Sequence, residues 1–146
     1  MKNPVVLGFY GESGIGKTTL IVKLIEKLND QGFNVSAIKI ADNKISIDTK
    51  GKDTWKYADA GASLICFSSS AETDFMIKNK KTTKDILNCV KNLGDFDLIL
   101  IEGANDQETK KIRLGKIKEK KNTIMDYNGD FEKLLSFIKK EFLRRK

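Results

Sequence analysis

The sequence predicts an α/β protein whose mostly parallel sheet carries helices on both faces. Three observations predict it: short apolar runs alternate with segments of helical periodicity, a glycine-rich segment follows the first apolar run, and the 146 residues fit one domain. The order of the segments is β-α-β-α-β-α-β, which is typical of parallel strands joined by crossover helices. We therefore expect a single domain over 1–146.

The first half of the chain shows the alternation most clearly. Residues 4–10 form a short apolar run that predicts a buried strand. The apolar residues within 20–28 share one helical face, and Gly32 is a suitable helix stop. Residues 33–40 predict a second strand, and a short helix is expected over 54–60.

The second half continues the pattern with less regular spacing. Residues 63–68 predict a third strand, 83–93 a helix and 97–101 a further buried strand. The lysine-rich segment 110–121 predicts an edge strand or hairpin outside the core. The last two expected elements are a strand over 122–127 and an amphipathic helix over 131–143.

Charge and residue types limit the chemistry that this chain can carry. Basic residues outnumber acidic ones by 27 to 20, but only 3 of them are arginine, so we expect a lysine-covered surface and no nucleic-acid partner. The sequence contains no histidine, which excludes histidine-based triads and zinc sites. Cys66 and Cys89 lack metal-type spacing and are expected to be buried, reduced thiols. Because no apolar run reaches the ~18 to 20 residues that span a bilayer, we expect a cytoplasmic location and no membrane partner.

The segment 11–18 matches the phosphate-loop pattern GxxxxGK[ST] at every specified position. It lies between a predicted strand and a predicted helix, where backbone N–H groups and the positive end of the helix can face a phosphate. Lys17 is expected to bridge β- and γ-phosphate oxygens, and the Thr18 hydroxyl to ligate Mg²⁺. The chain is therefore expected to form one P-loop NTPase-like nucleotide-binding domain. The predicted nucleotide-binding residues are Gly11, Glu12, Ser13, Gly14, Ile15, Gly16, Lys17, Thr18 and Thr19.

A phosphate loop also needs a carboxylate that holds Mg²⁺ directly or through water. Asp97 and Glu102 lie at opposite ends of one predicted strand, about 16 Å apart, and ligands of a parallel sheet bind beyond the carboxyl ends of its strands. We therefore expect Glu102 to be a magnesium ligand or a catalytic residue that orients water. Asp42 follows the second strand and is a further catalytic candidate, or a loop carboxylate that caps a turn. The motif leaves GTP and ATP both open, since 48–51 matches only the short pattern DxxG.

Four segments together resemble the molybdopterin-guanine dinucleotide biosynthesis protein B (MobB) family: GESGIGKTT, AIKIADN, DTKGKDTWKYADAGAS and DLILIEG. The resemblance implies a GTP-binding accessory protein, at most a slow GTPase, that uses Mg²⁺ and forms a homodimer. It also implies a nucleotidyltransferase partner that joins GMP to molybdopterin, with molybdopterin as a further ligand. Asp53 and Glu102 are the implied candidates around the metal or the second ligand. The chain departs from the family after its second strand, where Ile40 replaces a histidine that usually follows the lysine at position 39.

Two other functions fit the same loop. A small-molecule kinase would use Glu102 or Asp42 as the base that positions the acceptor, although the scarcity of arginine and of any evident lid segment argues against it. A nucleotide-dependent regulatory adaptor would use the segment 110–121 to dock a partner protein or a nucleic acid. The same segment would offer a dimer edge by strand addition, through Ile112, Leu114 and Ile117.

Overall fold

The computed structural model describes residues 3–144, which contain seven strands and four helices. The strands are β1 (Val5–Tyr10), β2 (Val35–Lys39), β3 (Leu64–Ser68), β4 (Thr73–Ile77), β5 (Leu98–Glu102), β6 (Lys110–Leu114) and β7 (Thr123–Tyr127). The helices are α1 (Lys17–Asp30), α2 (Asp53–Asp59), α3 (Thr83–Leu93) and α4 (Phe131–Phe142).

The chain divides into two compact units. The larger one, called the sheet unit, comprises the described residues of Met1–Ile40 and Ile86–Lys146. The smaller one, called the ribbon unit, is Ala41–Asp85. Each unit is described by itself below.

The sheet unit contains five parallel strands in the order β2-β5-β1-β6-β7. One apolar core joins the sheet to α1 and α4, through residues such as Leu24 and Leu134, which are both buried. A smaller core on the other face joins Ile99 and Ile101 of β5 to Leu87 of α3. All five residues of β5 are buried, as expected for a central parallel strand that is covered on both faces. The predicted α/β class, with a mostly parallel sheet and helices on both faces, is confirmed.

The prediction that 63–68 joins the parallel sheet is wrong. β3 pairs in antiparallel fashion with β4, which was not predicted, and the two form a separate sheet in the ribbon unit. Only four residues connect them, and the turn is closed by a hydrogen bond from Ser69 N to Glu72 O of 2.9 Å. Because a parallel pair needs a crossover of about a dozen residues or more, so short a connection permits only an antiparallel pair.

The prediction of an edge strand outside the core for 110–121 is also wrong. β6 lies between β1 and β7, so both of its edges are already paired. Ile112 and Leu114 belong to the core and cannot form a dimer edge by strand addition. The lysine-rich pattern misleads because Lys111 is fully buried, with its Nζ donating to Thr109 O and Lys121 O at 2.8 Å each. Two backbone carbonyls thus satisfy an ammonium group that the sequence pattern assigns to a solvated edge.

The prediction that both cysteines are buried is wrong as well. Cys66 and Cys89 are free thiols, and both are exposed. Cys66 follows the buried Ile65 in β3, and neighbouring residues of a strand face opposite sides of the sheet. Among the helices of the described residues, none is long and apolar enough to cross a membrane.

Candidate nucleotide-binding site

The loop between β1 and α1 has a backbone that only glycine adopts readily. Gly14 has φ of 78° and Gly16 has φ of 109°, both in the left-handed region that is strained for residues with a Cβ. Gly16 is also the residue at which α1 is capped, and no side chain accepts a hydrogen bond from the first turn of the helix. The first-turn N–H groups are therefore available to an anion in the loop.

The loop runs directly against the end of β6. A Cβ at Gly11 would lie 2.6 Å from the carbonyl oxygen of Leu114, so a larger residue would force the two backbones apart. On the neighbouring stretch, a Cβ at Gly115 would lie 3.5 Å from Cδ1 of Ile15. The segment that follows β6 is therefore in contact with the glycine loop.

The side chain of Lys17 bends back over the loop. Its Nζ donates to Gly11 O at 2.6 Å and to Glu12 O at 2.9 Å. An ammonium group has three donors, so one more acceptor can be bound at the same point. The arrangement holds a positive charge at the centre of the loop.

Glu102 connects this loop to the rest of the sheet edge. Its Oε1 accepts a short hydrogen bond from the Thr18 hydroxyl, and its Oε2 lies 2.9 Å from Lys39 Nζ. The three residues meet because β2, β5 and β1 are parallel neighbours, with Glu102 in register with Lys39 on one side. Burial opposes ionisation of Glu102, but the hydrogen bond from Thr18 and the charges of Lys39 and Lys17 outweigh it and hold its pKa below the usual value.

Asp97 lies at the opposite end of the same strand. It precedes β5, and its Oδ2 accepts a hydrogen bond from Asn34 N at 2.7 Å. This carboxylate therefore fixes the start of β2, whereas Glu102 lies at the end of β5 that faces the glycine loop.

The oxygen donors of Thr18 and Glu102 fit a magnesium site. Mg²⁺ is usually held by one or two carboxylates together with substrate phosphates and water, instead of by a cage of protein ligands. Residues 3–144 contain no group of three or more His, Cys, Asp or Glu side chains arranged to hold a metal. The same oxygens are hard donors, which this ion prefers over nitrogen or sulfur.

Asp42 and Asp53 both belong to the ribbon unit. Asp42 is exposed in the segment after β2, and Asp53 is the exposed first residue of α2. Asp53 also lines a groove of about 840 Å³ within that unit, together with Tyr57 and Phe67. Their roles as metal ligand or catalytic residue stay predictions.

Two features of the site edge were missed by sequence reasoning. The first is Lys39, whose only notable feature in the sequence is that Ile40, instead of a histidine, follows it. The second is a clamp on the basic loop 115–121: Arg113 binds Asp126 through two hydrogen bonds of 2.7 and 2.9 Å and donates to Ile117 O at 3.0 Å. Tyr10 OH accepts from Lys120 N at 3.0 Å on the other side of this loop. The contacts of the clamp join residues up to 110 positions apart in the sequence, so no local pattern predicts them.

The glycine loop lies between β1, the central parallel strand, and α1. It brings Lys17 and Thr18 to the carboxylate of Glu102 at the end of β5, the neighbouring strand of the sheet. This arrangement defines an α/β protein of the P-loop class. The sequence model of one family matches residues 6–140, and its description is "Molybdopterin guanine dinucleotide synthesis protein B". The chain belongs to this family, MobB, as the sequence segments predicted.

Two relatives carry names that match this family. The chain is 34% identical over 116 residues to a "Molybdopterin-guanine dinucleotide biosynthesis adapter protein" of Haemophilus influenzae, a match that covers 78% of this chain and 65% of the relative. It is 33% identical over 112 residues to the Escherichia coli protein of the same name, covering 75% of this chain and 64% of the relative. The matches thus span slightly less than two thirds of the length of these relatives.

Solved structures of the family share the fold. The crystal structure of Bacillus subtilis MobB superposes with a TM-score of 0.72 at 19% identity and covers 96% of this chain and 98% of that one. A MobB homologue from Bacillus stearothermophilus gives a TM-score of 0.65 at 14% identity, covering 96% and 99%. At these identities the likeness supports the α/β fold alone.

Proposed function

We propose that this chain binds GTP with Mg²⁺ in the glycine loop and acts in the cytoplasm as an accessory protein of molybdenum cofactor biosynthesis. In this role it assists a nucleotidyltransferase that joins GMP to molybdopterin. The observation that carries the nucleotide part is the hydrogen bond between Thr18 and Glu102, since it joins the phosphate loop to the carboxylate at the end of β5. Family membership and the names of the relatives support the biosynthetic part.

The proposed mechanism is binding with little turnover. Amides of the loop and of the first turn of α1 hold the β- and γ-phosphates, while the Lys17 ammonium neutralises their charge. Thr18 and Glu102 would hold Mg²⁺, which supplies further neutralisation of the phosphates when bound. The chain has no histidine, and Arg113 is held by Asp126, so we expect hydrolysis of GTP to be slow at most.

Substitution of Lys17 tests nucleotide binding directly. K17A removes the charge at the centre of the loop, and we expect it to weaken GTP affinity by at least about tenfold, as measured by calorimetry. K27A is the matched control, because Lys27 is exposed in the last turn of the same helix, ten residues and thus ~15 Å away. Unchanged affinity in K17A, with K27A also unchanged, would contradict the role of the loop.

The preference for guanine is tested by ligand-induced stabilisation. Ligand-induced stabilisation grows with the logarithm of the ratio of ligand concentration to dissociation constant, so the ligand that binds more tightly raises the unfolding temperature more. GTP with Mg²⁺ should therefore raise it more than ATP with Mg²⁺ at equal concentration. A larger effect of ATP would refute the guanine assignment and leave phosphate binding intact.

The remaining parts of the proposal concern partners and further ligands. A homodimer would have twice the chain mass of 16.4 kDa in light scattering. Association with the nucleotidyltransferase is tested by co-purification of the two proteins, followed by identification of the bound nucleotide. Asp42 completes the proposal as a catalytic residue that serves the metal or a water, and Asp53 as a ligand of the metal or of molybdopterin. D42N should slow any hydrolysis of GTP, and D53N should weaken binding of the metal or of molybdopterin.

A further inference from the structure

Lys39 and Glu102 form an ion pair at the edge of the sheet where the phosphate loop lies. Lys39 is the last residue of β2 and Glu102 the last residue of β5, and the two are in register. Their side chains differ sharply in exposure: 71% for Lys39 and 10% for Glu102. The carboxylate is thus fixed in the protein, while the lysine reaches it from the solvent side.

The two oxygens of Glu102 have different partners. Oε1 accepts from Thr18 of the loop, and Oε2 is 2.9 Å from the Lys39 ammonium. The two side chains of the proposed magnesium site, Thr18 and Glu102, are therefore already hydrogen-bonded to each other. Glu102 is also paired with the ammonium group of Lys39. A metal ion bound at Oε2 would compete with the lysine, because two cations held at one carboxylate oxygen repel each other.

We propose that Lys39 is an exchangeable counter-ion of Glu102, which neutralises the carboxylate when no metal is bound and yields it to Mg²⁺. This inference rests on the proposed function, and it names a positioning residue of the same site. Lys39 thereby sets both the affinity for nucleotide without metal and the magnesium concentration at which the metal-bound state forms.

The physical reason lies in the charges at the loop. A nucleoside triphosphate in the loop would bring several negative charges toward the ionised and largely buried carboxylate of Glu102, and like charges repel more strongly where water is excluded. The Lys39 ammonium cancels that repulsion. When Mg²⁺ takes its place, the ammonium and the metal repel each other, and the flexible, exposed stem of Lys39 allows it to leave without disturbing β2.

The test compares four forms of the full chain: unaltered, K39M, K39R and the double variant K39M/E102Q. A non-hydrolysable GTP analogue is titrated by calorimetry in EDTA, and Mg²⁺ is then titrated into the analogue complex. K27M, on the surface of α1, serves as the matched control for loss of one lysine. Unfolding temperatures of all forms show whether each is folded, and K39Q replaces K39M if that variant is not.

Loss of the Lys39 charge should weaken nucleotide binding when no metal is present and should strengthen binding of Mg²⁺ to the nucleotide complex. In EDTA, K39M should bind the analogue roughly tenfold more weakly, the order of effect of one lost charge interaction at a partly buried site. K39R should restore most of that affinity, and K39M/E102Q should restore it as well because no carboxylate is left to neutralise. In K39M the half-maximal magnesium concentration should fall, since the competing cation is gone.

Three outcomes would overturn the inference. Equal weakening of K39M in EDTA and in saturating Mg²⁺, with no recovery in the double variant, would make Lys39 a plain phosphate contact. If K39M changes neither the affinity for the GTP analogue nor the half-maximal magnesium concentration, the ion pair has only a structural role. Absence of binding by the unaltered chain would overturn the proposed function, and this inference with it.

Discussion

Gly16 shows how one residue decides whether the loop can form. Its φ of 109° is strained for any residue with a Cβ, although a Cβ would meet no atom within 4 Å. We expect G16A to lower the free energy of unfolding by about 1 to 2 kcal/mol and to weaken GTP affinity, because the strain shifts the amides that face the phosphates. Urea denaturation and calorimetry measure the two effects.

The control for this change is G32A. Gly32 has φ of 83°, also with no atom within 4 Å of a Cβ, but it follows the far end of α1. G32A should therefore cost a similar free energy of unfolding and leave nucleotide affinity unchanged. Loss of affinity in both variants would mean that destabilisation alone explains the effect of G16A.

At the scale of residues, the loop could be predicted and Lys39 could not. The spacing of Gly11, Gly16, Lys17 and Thr18 is local, and Glu102 follows from the rule that ligands bind beyond the carboxyl ends of parallel strands. The contact of Lys39 depends on β2 being the direct neighbour of β5, which is a property of strand order. Strand order depends on contacts between segments that are distant in sequence, so the local residue pattern around Lys39 carries no signal for it.

The turn between β5 and β6 illustrates how an element is held in place by a single carboxylate. Asp106 Oδ2 accepts from Thr109 N and Thr109 Oγ1, each at 2.8 Å. Burial opposes ionisation of Asp106, but these bonds and the charge of Lys111 outweigh it, so its pKa lies below the usual 3.8. The turn precedes the buried Lys111, so it fixes the entry into β6.

This lowered pKa predicts a loss of stability in acid. The carboxylate contributes its full stabilisation above pH 3.8, the value expected in the unfolded chain, and loses it as the pH falls further, through the pKa of the folded state. D106N should be less stable than the unaltered chain at pH 6, by about 1 kcal/mol, and the difference should shrink below pH 3.8. Urea denaturation at pH 6 and at a series of pH values below 3.8 measures it, with D59N on the exposed surface of α2 as the control. A difference in the free energy of unfolding that stays constant with pH would show that the negative charge of Asp106 does not contribute to stability.

At the scale of elements, helices were predicted better than strand pairing. The periodic apolar face of 83–93 and 131–143 marked α3 and α4 almost to the residue, because a helix satisfies its backbone within its own segment. A strand depends on partners distant in sequence. β4 has only alternating partial burial, and β6 carries a lysine in the core, so neither has the apolar pattern expected for its place.

At the scale of the whole molecule, the division into two units makes the prediction of a single domain testable, because a bound ligand can stabilise one unit or both. The glycine loop and Glu102 belong to the sheet unit, whereas Asp42 and Asp53 belong to the ribbon unit. GTP with Mg²⁺ at 100 times its dissociation constant should add about 2.7 kcal/mol of stability to whatever unfolds together with the loop. Amide hydrogen exchange with and without this ligand shows which amides gain that protection.

We expect slower exchange throughout β1, β5 and α1, since these elements contain or adjoin the loop. If Asp42 or Asp53 binds the metal or the nucleotide, amides of the ribbon unit gain protection too, and D53N or D42N removes that gain while β1 keeps its own. Protection confined to the sheet unit would exclude both aspartates as ligands of this complex. It would also show that 1–146 responds to nucleotide as two units, against the expectation of one domain.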